Sequence, residues 1–349
     1  MAIARVLESG YYILGPELEA LEAEFADYLG VAFAIGVANG TDGILLALLA
    51  LDIGEGDEVI TVSHTAVATV SAIEQAGATA VLVDVEPGFL TLDPVLLEQA
   101  LTQRTRAVLP VHIYGQAAAI SEIQEFCYEH DLALIEDVSQ AHGARYGGDR
   151  LGTFGDLGIF SCYPTKNLGA VGDAGLVVTN DPALAARLRR LRQYGWLERN
   201  SSIEKGINSR LDEVQAAILR VKLPYLDANN TRRRAVASRY SDVFGELAMQ
   251  VPSLRKAAEH VFHLYVAEVD DRDGFRARLG MAGVQTGIHY PLPVHLQPAY
   301  LGRVRLASSM SVTEKASERI VSLPLFPELS DENRGFVERA VSEVCRGSS

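Results

Sequence analysis

Short apolar runs alternate with longer, helically spaced stretches over the first two thirds of the chain. The runs fall at residues 34–37, 58–63, 79–83, 105–111, 133–136, 157–161 and 175–179, each the length of one strand. They stay apolar along their length rather than alternating with polar residues, which is the pattern of strands covered on both faces. Between several of them, residues 42–51, 66–76, 93–103 and 120–130 read as helices. This order predicts an α/β fold with a mostly parallel central sheet flanked by helices. Turn signals at Gly54-Glu55-Gly56-Asp57, Glu86-Pro87-Gly88 and Asp181-Pro182 mark the starts of further elements.

Residues 211–222 form another helical pattern, with Val214, Ala217, Ile218 and Val221 as its apolar positions. Pro224 should end or kink it, and a basic helical stretch holding Arg232, Arg233 and Arg234 should run to about 240. Beyond that the regular βα order is lost, with segments expected at 260–269, 274–282 and 286–290. The chain therefore divides into a large domain at 1–229 and a smaller α+β domain at 230–349. Gly347-Ser348-Ser349 should fray.

Composition narrows the function classes. The 349 residues are 48% hydrophobic and 22% charged, as in a soluble globular protein. A net charge of −14 argues against a nucleic-acid or anionic-membrane partner, because both need a basic surface. Three cysteines, Cys127, Cys162 and Cys345, lack metal-ligand spacing and point to reduced thiols in the cytoplasm. The first residues carry no secretory signal, and no apolar run is long enough to span a bilayer. The chain opens inside a helical pattern, so an upstream segment is expected to be missing.

The candidate chemistry lies at two strand ends. The run 132–135 stops on Glu136-Asp137, followed by Gln140 and His142. The run 157–161 ends at Ser161 and continues through Pro164 to Lys166, with Gly169 and Gly172 close behind. An amine on a Pro-bent turn, near a carboxylate at a sheet edge, is what pyridoxal 5'-phosphate (PLP) chemistry requires. The lysine forms the Schiff base, and the carboxylate holds a proton on the pyridine nitrogen. His142 is expected to support Asp137. Gly40-Thr41-Asp42 follows a strand and opens a helix, where free N–H groups and the helix dipole can receive a phosphate. By residue type alone, Lys166 can be a solvated charge, Asp137 a helix cap, and Asn208, His289 and His295 ordinary loop residues. Two histidines without a carboxylate or thiol beside them do not make a metal site, and none is expected.

Taken in order, these stretches resemble the PLP-dependent sugar-nucleotide aminotransferases of the DegT–DnrJ–StrS group, over essentially the whole chain. The matching stretches are Gly40-Thr41-Asp42, Pro110-Val111-His112-Ile113-Tyr114-Gly115-Gln116, Glu136-Asp137-Val138-Ser139-Gln140, Tyr163-Pro164-Thr165-Lys166-Asn167, Asn208-Ser209-Arg210, and His289-Tyr290 with His295. The resemblance implies a fold-type-I homodimer with shared active sites. It implies Lys166 as the PLP-bearing lysine, Asp137 on the pyridine nitrogen and Gln140 beside the ring hydroxyl. Gly40, Thr41, Asp42 and Ser161 would hold the phosphate, with Asn208 reaching in from the second subunit. His289 and Tyr290 would face the substrate. The implied reaction moves an amino group from an amino-acid donor, L-glutamate, to a nucleotide-linked keto sugar. Related dehydratases carry histidine where Lys166 stands, so the lysine favours amino transfer.

Members of the group often place a stacking aromatic where this chain has Ala66. Either His64 or another side chain is then expected to take over, or that ring face is covered differently. The stretch from Ser63 to Thr69 looks like the subset acting on 3-keto sugars. Two rival readings stay open: another PLP enzyme, such as a lyase or acyltransferase, and a non-enzymatic regulatory or assembly protein that kept the fold.

Overall fold

The computed structural model describes residues 2–247 and 249–346. Gly347-Ser348-Ser349 lies outside the described residues. Each of the seven apolar runs forms a strand: β1 (Phe33–Val37), β2 (Glu58–Val62), β3 (Thr79–Val83), β4 (Thr105–Val108), β5 (Ala133–Asp137), β6 (Leu157–Ser161) and β7 (Gly175–Thr179). They share one sheet in the order β1-β7-β6-β5-β4-β2-β3, extended past β3 by the short strand Arg305–Leu306. Pairing is parallel from β6 to that short strand, whereas β7 runs antiparallel to both β1 and β6. β2 and β7 are buried at every position, including the polar Glu58, Thr61 and Thr179.

The helix Gly40–Ala50 packs on β6 and β7, and Ile120–Glu129 packs on β4 and β5. The helix expected at 93–103 is only a 3-10 turn, Pro94–Leu96, and one α-turn, Leu97–Ala100. Leu101 leaves helical geometry at ψ 137, and the Thr102 amide bonds the Thr105 hydroxyl instead of a helical carbonyl. Within the segment expected at 260–269 only Tyr265–Glu268 is strand, because Phe262 adopts φ 44 and bends the chain before it. Residues 286–290 form no strand and make one bridge, Gly287 to Ser322.

Two apolar clusters fill the molecule. The larger, with Phe25, Ile60 and Phe160, lies around the main sheet; the smaller gathers Tyr240, Phe244, Tyr265 and Val341. The helix Leu226–Phe244 belongs to both, with Leu226 in the first and Val236, Tyr240 and Phe244 in the second. The domain division expected at 229/230 thus falls within a continuous helix. Among the described residues, no helix is long and apolar enough to cross a membrane.

Candidate active site

β5 delivers Asp137 to the edge of the sheet, and its neighbours lock the backbone there. The Asp137 amide donates to Pro110 O at 3.0 Å, and its carbonyl accepts from the His112 amide at 3.0 Å. The carboxylate is 5% exposed and is held by neutral donors. Its Oδ1 accepts from the Ser139 amide and its Oδ2 from Thr69 Oγ1, both at 3.1 Å. Thr65 Oγ1 lies 3.0 Å from Thr69 Oγ1, one helical turn away. Side chains alternate along a strand, so Glu136 points the other way. It accepts from the amides of Gly152, Phe154 and Gly155 and bonds His112, which ties a loop to the sheet.

The turn after β6 presents Lys166. The Lys166 amide donates to Tyr163 O, and Ala170 N donates to Cys162 O, folding the turn back on the strand. A Cβ on Gly169 would sit 2.4 Å from Pro164 O, so only glycine permits this closure. Burial lowers the Lys166 pKa, opposed by the charge of Asp137. A lowered ammonium pKa favours the free amine, the nucleophilic form.

Lys166 stands in the wall between two cavities. The inner one, about 540 Å³, is lined by Gly40, Thr41, Asp42, Asp137, Gln140, Ser161 and Lys166, among others. These are all of the expected cofactor residues except Asn208. That side chain is exposed, on a segment bridged to Gln193, and does not line this cavity of its own chain. The outer cavity, about 1040 Å³, is lined by Lys166, Lys222, Arg233, His263, His289 and Tyr290, among others. Both expected substrate residues are there.

Close packing shapes the inner cavity. A Cβ at Gly40 would lie 2.7 Å from that of Ser161, so the helix start is pressed against the end of β6. Asn39 caps this helix, its Oδ1 accepting from the Asp42 amide at 2.8 Å. Gln140 is fixed at both ends: Oε1 accepts from the Tyr114 amide at 2.7 Å, and Nε2 donates to the Tyr290 hydroxyl at 3.1 Å. Burial, reinforced by the charge of Asp137, raises the Tyr290 pKa and keeps its phenol protonated.

Two expectations are corrected here. His64 does not cover the inner cavity. It is buried with Nε2 2.7 Å from the Tyr114 hydroxyl, which donates to His289 O, so His64 is the donor of that pair. Thr65, Ala66, Ala68 and Thr69 form the wall in its place. Nor does His142 support Asp137. It packs edge-on to Phe160 at 5.4 Å, while Thr69 and Ser139 hold the carboxylate. Thr69 had a legible signal, since Thr65 and Thr69 stand four apart at the start of a helix. Tyr114 lay within the matching stretch 110–116 without a role assigned to it, and His263 had no signal. His295 clamps Ser63 to Glu314, and the described residues hold no group of three or more potential metal ligands.

The family is decided by a match over nearly the full length: residues 1–342 fit the DegT/DnrJ/EryC1/StrS aminotransferase family. The chain belongs to that family. It is 48% identical to the dTDP-3-amino-3,4,6-trideoxy-alpha-D-glucose transaminase of Streptomyces venezuelae, covering 98% of this chain and 90% of the relative. It is 41% identical to the UDP-N-acetyl-3-dehydro-alpha-D-glucosamine 3-aminotransferase of Acidithiobacillus ferrooxidans, over 99% and 92% of the two chains. Among solved structures, S. venezuelae DesV in complex with a ketimine intermediate superposes with a TM-score of 0.95. It shares 47% identity, over 98% of this chain and 92% of the other. Membership in a DegT/DnrJ/EryC1/StrS aminotransferase family makes this chain an enzyme of amino transfer on an α/β scaffold and implies use of PLP.

The inner cavity fits that cofactor on its own terms. It places a buried carboxylate held by neutral donors, a lysine of lowered pKa and a helix start pressed against Ser161 around one space.

Proposed function

We propose that this aminotransferase moves an amino group from an amino acid, L-glutamate, to the C3 keto group of a nucleotide-linked deoxysugar. The carrying observation is the placement of Lys166, in the wall shared by the inner and outer cavities. The regiochemistry and the nucleotide-sugar class rest on two relatives whose names both specify amino transfer at position 3 of a nucleotide-linked sugar.

Bound in the inner cavity, PLP supplies an electrophilic carbon and a ring that accepts the electron pair released at the substrate carbon. The chain does the rest. Thr41, Ser161 and the backbone of Asp42 hold the phosphate, and Gly40 lets the helix start approach it. Asp137 holds a proton on the ring nitrogen, steadied by Thr69 and the Ser139 amide. Gln140, clamped between Tyr114 and Tyr290, stands beside the ring hydroxyl. Lys166 Nζ carries the proton between the substrate carbon and the cofactor. His289 and Tyr290 face the substrate from the outer cavity.

The site is completed in a homodimer, with the partner subunit's Asn208 reaching the phosphate. Exposed Tyr163, Val171, Val221 and Tyr225 supply apolar surface for that contact. We place the enzyme in the cytoplasm, in keeping with its free cysteines.

The test is the visible absorption spectrum of the purified protein with PLP, before and after L-glutamate. Conversion of the yellow band to the pyridoxamine form supports the reading. A band that glutamate leaves unchanged rejects the donor, and no band rejects the cofactor site.

A further inference from the structure

The outer cavity, on the reading above, must receive a carboxylate in one half-reaction and a neutral sugar ring in the other. Its fixed cations are partly engaged. Arg233, the one arginine on its wall, points Nη1 at the carbonyls of Phe262, His263 and Leu325 at 3.2 to 3.4 Å. Lys222 donates to Gly169 O at 2.5 Å. Glu328 is the acidic residue on that wall. Besides Arg233 Nε and Asn167 Oδ1, imidazole stays uncommitted. His263 is 8% exposed, lines the cavity, and has a buried Nδ1 without a hydrogen-bond partner. Buried polar atoms of this kind call for an explanation, and a ligand is one. His289 bonds Ser322 through Nδ1 at 2.8 Å, leaving Nε2 without a partner among the described residues.

We propose that His263, assisted by His289, is the seat for a carboxylate of the amino-acid donor. The physical advantage over an arginine lies in the alternation. A guanidinium stays charged when a neutral sugar displaces the carboxylate, which strands a buried cation. An imidazole can lose its proton. When the cavity is empty, burial and then the charge of Lys166 hold the His263 pKa well below its usual value, so the ring is neutral. An arriving carboxylate favours the charged form, and the ring takes up a proton with it and releases it when the keto acid leaves. The charged and titratable groups around His263 are Lys166, His289, Arg233 and His142, with Lys222, Glu328 and Tyr290 completing the cavity. Arg233 commits Nη1 to three backbone carbonyls, although its Nε has no partner. Arg233 is a positioning residue: it grips the His263 carbonyl and so sets where the ring stands.

The test titrates glutarate, an unreactive dicarboxylate, into PLP-loaded enzyme by calorimetry in buffers of different ionisation heat, with dTDP as the second ligand. In the wild type, glutarate binding should draw in about one proton. His263→Leu should weaken glutarate about 30-fold and abolish the uptake. His263→Gln, which keeps an N–H donor, should lose the uptake with a smaller loss of affinity. Both variants should keep the yellow band and bind dTDP within about twofold of the wild type. Unchanged glutarate affinity in His263→Leu, or equal weakening of glutarate and dTDP, would overturn the assignment. A missing yellow band in the wild type would instead sink the cofactor reading; the same glutarate titration on the unloaded protein would still decide about His263.

Discussion

The two cavities that meet at Lys166 are built on opposite principles. On the inner wall every buried side-chain polar atom among the described residues has a partner: Asp137 has Thr69 and Ser139, and Gln140 has Tyr114 and Tyr290. On the outer wall Asn167 Oδ1, Arg233 Nε and His263 Nδ1 are buried without one. A wall whose groups already satisfy one another is preorganised for a single occupant that stays. A wall with open valences suits ligands that come and go, because each can supply the missing bond. On the proposed reading the contrast divides the chemistry: the inner wall would serve both half-reactions, and the outer wall would tell the two substrates apart.

That division can be broken at several depths. The largest effect is expected from Lys166→Ala, which should cost roughly 10³-fold or more in both half-reactions, followed by single-turnover absorbance. Loss in only one of them would contradict the shared wall. Asp137→Asn should cost roughly 10²- to 10³-fold, again in both, with PLP still bound. Gly40→Ala pushes a methyl toward Ser161, 2.7 Å from its Cβ, and should destabilise the fold by about 1 to 3 kcal/mol while weakening PLP retention. Equilibrium dialysis and denaturant melts would read the two losses; normal retention in a well-folded variant would show that the inner wall can give.

A further expectation concerns acid. Burial lowers His64 to about 4 and His142 and His260 to about 3, against 6.5 for a free imidazole. Below 6.5 the unfolded chain binds protons that the folded chain refuses, so stability is fully present above that pH and falls as acid is added. The loss is about 1.4 kcal/mol per pH unit for each histidine until its folded pKa is reached. Melting temperatures between about pH 7 and pH 5 should therefore drop, and His142→Phe, which fits beside Phe160, should flatten the curve. An unchanged slope in that variant would remove His142 from the account.

Much of the inner wall was legible in the sequence, and the reason is local. Asp137, Ser161 and Lys166 sit at the ends of apolar runs, and a strand end in an α/β sheet is where a ligand meets the fold. Gly40, Thr41 and Asp42 open a helix directly after a strand. Each position follows from its own neighbours in the chain. The outer wall was much less legible, because it is made by distant segments. His263 reaches it through the bend at Phe262 and the grip of Arg233, features no periodicity reports. The roles expected of His64 and His142 failed for a related reason: a histidine near a motif announces its chemistry, not its direction, and both rings turn into the core. The lost helix at 93–103 and the interrupted segment at 260–269 were overridden in the same way, by a side-chain bond at Thr102 and a left-handed residue at Phe262.

The short strand Arg305–Leu306 closes the sheet beside β3, although the chain makes the two far apart. During synthesis β3 emerges early and must wait, its outer hydrogen-bonding edge bare, until residues 305–306 have left the ribosome. A premature stop ahead of residue 305 would yield a sticky product rather than an independent half-enzyme.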